Sequence, residues 1–85
     1  MYRNDYSPQM VQGEMAVWVQ STGWVKARQG KDLKIGDQIV YNWGYIGTIV
    51  SIIKETHKTI TFGIESSGKV YEQRIGKETW KPVAN

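Results

Sequence analysis

Eighty-five residues, a net charge of +3 and a pI near 9.3 describe one small, mildly basic domain, which permits a nucleic-acid or acidic partner without requiring one. A chain of this size buries only about 60–70 % of its unfolded surface, so some of its 4 Trp, 5 Tyr and 1 Phe must serve the core. The absence of cysteine excludes disulfide staples, thiolate metal sites and cysteine nucleophiles.

Met1 to Gly13 is polar, holds Pro8 and lacks periodicity, so it reads as a flexible N-terminal arm. Its first ten residues have no apolar h-region, which gives no sign of a signal peptide. Glu14 to Gln20 alternates and is rich in Val and Trp, as a strand does, and Ser21-Thr22-Gly23 is a turn signal. Trp24 to Arg28 is a second short strand. Lys31 to Asp37 is a compact link with Leu33 and Ile35 as apolar anchors, room for one helical turn near Lys31 to Leu33, and a tight turn at Gly36-Asp37. In Gln38 to Trp43, alternation puts Ile39, Tyr41 and Trp43 on one side and Val40 and Asn42 on the other.

Gly44-Tyr45 turns the chain into Ile46 to Ile53, the strongest strand signal here. Ile46, Thr48, Val50 and Ile52 share one face and Ile49 and Ile53 the other, so the strand is expected to be central with both faces covered. Lys54 to Lys58 is a polar hairpin loop. Thr59 to Glu65 alternates with Ile60, Phe62 and Ile64 inward. Ser66-Ser67-Gly68 is a hairpin turn, Lys69 to Ile75 has the mixed pattern of an edge strand, and Thr79 to Val83 closes the chain with Pro82 at an edge. Five to six short strands and no helical period predict an all-β fold, a small antiparallel barrel over residues 14–85 behind the arm of residues 1–13. No apolar run approaches the roughly 20 residues of a membrane span, so a cytoplasmic setting and no membrane partner are expected.

Within GDQIVYNWGYIGTIVSII, the residues Gly36-Asp37, Ile39-Val40, Gly44-Tyr45-Ile46-Gly47-Thr48-Ile49-Val50 and Ile52 resemble the KOW-type motif of SH3-like barrels. That resemblance implies an SH3-like barrel and, because KOW-bearing proteins are mostly ribosomal or transcription-associated, nucleic-acid binding. It covers about 18 residues, the motif's short span, and places Gly47 where a side chain would hinder a sharp bend. Gly23 to Val40 (GWVKARQGKDLKIGDQIV) also resembles the intein and hedgehog-type segment reading Trp-Val-x-Ala and Asp-Leu-Lys-x-Gly-Asp. The catalytic parts of that family do not follow: there is no N-terminal cysteine, no Thr-x-x-His block and no histidine before Asn85. The likeness implies shared strand grammar and no splicing.

Four constellations could meet a partner. Tyr41, Trp43 and Tyr45 could stack unpaired bases, or Tyr41 and Trp43 could be core, with Tyr45 at the turn tip. Lys26, Arg28, Lys31 and Lys34 outnumber Asp32 over KARQGKDLK, either as phosphate contacts or as a solvated loop. Lys54, His57 and Lys58 sit on a hairpin loop, diluted by Glu55, and a lone histidine is not a metal site. Trp80 among Lys69, Arg74, Lys77 and Lys81 could be a cation–π platform but reads better as a plug of the barrel end. No base–nucleophile pair, phosphate loop or dinucleotide fingerprint can be placed, so neither an enzyme nor a cofactor is expected.

The expected function is nucleic-acid binding (DNA or RNA) with little sequence preference. Lys26, Arg28, Lys31 and Lys34 would hold the backbone, Trp43 and Tyr45 would stack, and Lys54, Lys58 and Arg74 would be peripheral. The alternative is a protein-interaction module, in the style of phage-encoded and other accessory adaptors or inhibitors. It would use an aromatic groove at Tyr45, Trp43 and Trp80, or pair through the edge Lys69 to Ile75, also a route to an oligomer. Cations and Tyr45 on one face would favour nucleic acid, and separate faces a protein partner.

Overall fold

The computed structural model describes residues 8–84. It contains eight strands: β1 (Gln9–Val11), β2 (Glu14–Val19), β3 (Gly23–Gln29), β4 (Gln38–Val40), β5 (Ile46–Glu55), β6 (Thr59–Ser66), β7 (Lys69–Gly76) and β8 (Trp80–Pro82), with 3₁₀ turns at Gly30–Asp32 and Asn42–Gly44. They form two antiparallel four-stranded sheets, ordered β1-β2-β3-β8 and β4-β5-β6-β7. A single bridge, Ile39 to Val83, joins them, beside a hydrogen bond from Ala84 N–H to the Gln38 carbonyl at 2.9 Å. No pairing joins β1 to β7 among the described residues, so the all-β expectation is met by two linked sheets and not by a closed barrel. The first strand lies inside the segment read as an arm: Gln9 pairs with Ala16 and Val11 with Glu14. Residues 1–7 of that arm, and Asn85, lie outside the described residues.

The core is where alternation is cleanest. Ile60, Phe62 and Ile64 of β6 are buried and pack with Leu33, Ile39, Ile49, Ile75 and Val83. Every second residue of a strand faces one side, and directly paired residues share it. The ladder therefore puts Ile75, Gln73 and Tyr71 of β7 on the core side with Ile60, Phe62 and Ile64. It puts Arg74, Glu72 and Val70 on the outer side with Thr61, Gly63 and Glu65.

Three facing expectations are corrected. Strand β5 is central in order but not covered on both faces: Val50, Ile52 and Ile53 are exposed. Its pairing shifts register between Ile49 and Ser51 and again between Ile52 and Lys54. Each bulge adds a residue and so reverses the phase of alternation. Ile35 is exposed and anchors nothing, whereas Leu33 is buried as expected. Trp43 does not share the inward side with Ile39; it is 68 % exposed.

Phe62 is the one fully buried ring among the described residues. Trp18 and Trp24, paired across the β2–β3 hairpin, meet edge to face at 5.6 Å between centroids, a favoured aromatic geometry. Trp80 is half-buried in β8. No helix among the described residues is long and apolar enough to cross a membrane.

Candidate functional site: a tyrosine groove and a lysine cleft

The turn that presents the aromatics is held from outside the β4–β5 hairpin. Trp43 N–H donates to the Gln20 carbonyl at 3.1 Å, and Gln20 N–H donates to Asn42 Oδ1 at 3.2 Å. Tyr41 N–H donates to the Tyr45 carbonyl at 2.7 Å, and Gly44 N–H to the Tyr41 carbonyl at 3.0 Å. The turn is thus tied to the end of β2 in the other sheet. The geometry requires Trp43 to adopt φ 70° and ψ 14°, a left-handed conformation that costs a non-glycine residue about 1–2 kcal/mol. An exposed tryptophan is held in a strained conformation that glycine would occupy freely.

Beside this turn, Tyr41, Tyr45, Ile64, Ser66, Tyr71, Glu72 and Gln73 border a groove of ≈ 380 Å³. Gly47 makes room for it. A Cβ there would lie 2.6 Å from Ile64 Cγ2 and 2.8 Å from the Tyr41 ring, so only glycine leaves the tyrosine ring its place against β5. This, and not a sharp bend, is the reason for the residue. The Tyr41 hydroxyl then donates to Gln73 Oε1 at 2.7 Å, linking β4 to β7 across the sheet. Burial pushes the Tyr41 phenol above its ordinary 10.0, so it stays a neutral donor. Tyr45 and Tyr71 are 67 % and 54 % exposed and form the walls. Glu72 is the one charged residue bordering the groove; its neighbouring cations along the ladder are Arg74, next to Gln73, and Lys69, paired with Ser66 at the hairpin.

The cations expected to act together are dispersed. Lys26 pairs with Glu14 at 3.4 Å. Arg28 pairs with Asp37 at 3.2 Å, and Asp37 is buried while its Oδ2 accepts the Lys34 N–H at 3.0 Å. Arg28 and Asp37 therefore staple the link to β3, and the Gly-Asp pair of the motif is a structural device. Lys34 is exposed on that link. Lys54 and Arg74 flank Thr61 on the outer face, one on each neighbouring strand.

Lys31 and Lys58 do meet, with Lys77. They border a cleft of ≈ 520 Å³ with His57, Gly76, Glu78 and Thr79. Three backbone bonds bring these segments together: Lys31 N–H to the Lys77 carbonyl at 3.0 Å, Lys77 N–H to the Lys58 carbonyl at 2.8 Å, and Gly30 N–H to the Thr79 carbonyl at 2.9 Å. Gly30 packs so closely on the Gly76 carbonyl that any Cβ would collide with it. Lys77 is partly neutralised by Glu55 at 2.7 Å. The cleft lies at the Thr59–Gly76 end of the β6–β7 ladder and the groove towards the Ser66–Lys69 end, with Gln73 of the groove three residues from Gly76 of the cleft, about 10 Å at ~3.3 Å per residue.

Sequence reasoning missed Tyr71 and Gln73, which sit in a strand whose pattern is mixed, and it grouped Lys77 with Trp80 rather than with Lys31 and Lys58, whose loops are distant in sequence. Among the described residues no group of three or more His, Asp or Glu is placed to hold a metal ion. No protein-family model matches the chain, and no curated protein or solved structure matches it.

Proposed function

We propose that the chain is a non-catalytic, SH3-like protein-interaction module that holds an extended segment of a partner, with an apolar side chain seated between Tyr45 and Tyr71 over Ile64. The observation that carries this reading is the composition of the groove: three tyrosines, one isoleucine, two neutral polar residues and one acid, with no cation. Aromatic walls, an apolar floor and a few polar groups suit an apolar side chain carried on a peptide backbone. A phosphodiester would need cations beside the stacked bases. Among the described residues, Lys31, Lys58 and Lys77 border the cleft towards the other end of the ladder, Lys26 and Arg28 are engaged with Glu14 and Asp37, and Lys69 and Arg74 neighbour the groove along β7 without bordering it. A cytoplasmic setting, with no cofactor, belongs to the same proposal.

A nucleic-acid ligand is the second reading, favoured by the convergence of Lys31, Lys58 and Lys77 and by the exposure of Trp43 and Tyr45. The test is selection of binders to the full chain from a random dodecapeptide library, followed by titration of the enriched peptides against Tyr45→Ala and Tyr71→Ala. The proposal expects enriched peptides with a shared apolar position. Each variant should weaken them about tenfold or more, as hot-spot aromatics do, with little dependence on salt. Enrichment that ignores both tyrosines would overturn it.

A further inference from the structure

Among the described residues the longest open edge is that of β7, with Gly30 approaching its last residue, Gly76. Of the two strands at the ends of the linked sheets, β1 has three residues and β7 has eight. Up to Ile75 this edge presents a row of backbone donors and acceptors to another strand, whereas the Gly76 carbonyl already accepts from Thr79 N–H. Its side chains also suit that use: Val70 and Tyr71 are 61 % and 54 % exposed. Glu72 and Arg74 are exposed and stand two residues apart on the outer face. The ion pairs among the described residues join Glu14, Asp37 and Glu55 to Lys26, Arg28 and Lys77, leaving Glu72 and Arg74 outside them.

We propose that two copies of the chain pair antiparallel through β7, in the register centred on Gln73, to make one continuous eight-stranded sheet. A two-fold axis normal to the sheet keeps the core-side and outer residues of both copies in line, which fixes the register to one centred on a residue. Centring on Glu72 sets two glutamates opposite each other, and centring on Arg74 sets two arginines opposite each other. Centring on Tyr71 sets Glu72 opposite Val70 and leaves Arg74 beyond the reach of either. Centring on Gln73 sets Glu72 of each copy opposite Arg74 of the other, twice, on the outer face. On the core side it sets Tyr71 opposite Ile75. Opposite charges facing across a ladder stabilise it and like charges destabilise it, so the sequence of β7 is self-complementary in this register. Charges on an edge ordinarily deter pairing; here the two-fold operation turns each into its partner's counter-ion. The inference does not rest on the tyrosine groove.

The test is sedimentation equilibrium of the full chain and of two charge variants, Glu72→Arg and Arg74→Glu. Both positions are exposed, so the variants should keep the native circular dichroism. The native chain is expected to dimerise with concentration. Each variant alone places like charges opposite each other and should weaken the dimer about tenfold or more. An equimolar mixture of the two variants pairs arginine with glutamate again and should recover a mixed dimer near native affinity. A native chain that stays monomeric into the millimolar range would overturn the proposal. A dimer indifferent to both substitutions, or a mixture that stays as weak as its components, would overturn it as well.

Discussion

Tyr41 carries the most structural consequence of any single side chain near the groove. It lies over Gly47 and Ile64 and hydrogen-bonds Gln73, so one residue of the β4–β5 turn fastens the edge strand. Replacing it with Phe keeps the ring and removes the donor. The expected loss of stability is about 0.5–1.5 kcal/mol, the ordinary worth of such a bond, read from the urea midpoint at neutral pH. The pH dependence has a definite sign. Burial raises the phenol above 10.0 in the folded chain, so the unfolded chain loses its proton first. The stabilisation is complete below pH 10 and falls away as pH rises through the folded value. Tyr41→Phe should therefore flatten the alkaline limb of the stability curve. Native and variant curves that run parallel above pH 10 would contradict this account of Tyr41.

At the scale of elements, the Asn42–Gly44 turn is the place where local preference and observed geometry disagree. Trp43 sits at φ 70° with its side chain exposed and its N–H bonded to Gln20. Trp43→Gly relieves the left-handed strain, about 1–2 kcal/mol, against a cost of about 0.5–1 kcal/mol in chain entropy. The variant should be as stable as the native chain or slightly more so in a urea melt, while losing whatever contact the indole makes. Clear destabilisation would mean that the indole packs where it stands. The turn also shows what could be read from the chain and what could not. Gly36-Asp37, Ser66-Ser67-Gly68, the inward set Ile60, Phe62 and Ile64 and the buried Leu33 were legible, because turn residues and period-2 alternation are local signals. For Trp43 both core and stacking stood open, and the inward reading arose because alternation was carried past the end of β4 at Val40. The two bulges of β5 hid the exposure of Val50, Ile52 and Ile53 in the same way, since a bulge leaves no fixed residue signature.

At the scale of the molecule, the sheet connections decide which residues meet. The β6–β7 ladder holds the tyrosine groove at one end and the lysine cleft at the other. Residues as far apart in sequence as Lys31, Lys58 and Lys77, or Tyr41 and Gln73, come together through register, which no local pattern specifies. Tyr45 was legible as an exposed ring because it stands at a turn tip. Tyr71 was not, because its partners are chosen by the pairing of β6 with β7. The basic run KARQGKDLK was legible as charge, but the engagement of Lys26 with Glu14 and of Arg28 with Asp37 depends on tertiary contacts. None of the residues bordering the groove is a cation, and the proposal of a protein partner rests on that.

The most direct test is to follow the backbone amides of the labelled chain by NMR during two parallel titrations, one with a library-selected peptide and one with a ten-nucleotide oligothymidine. The account predicts saturable shifts with the peptide at Ile64, Ser66, Tyr71 and Gln73, unchanged between low and physiological salt, and only weak, salt-sensitive shifts with the oligonucleotide at Lys31, Lys58 and Lys77. Saturable shifts with the oligonucleotide at Tyr45 and Tyr71, weakening steeply as salt rises, would contradict it and return the groove to nucleic acid.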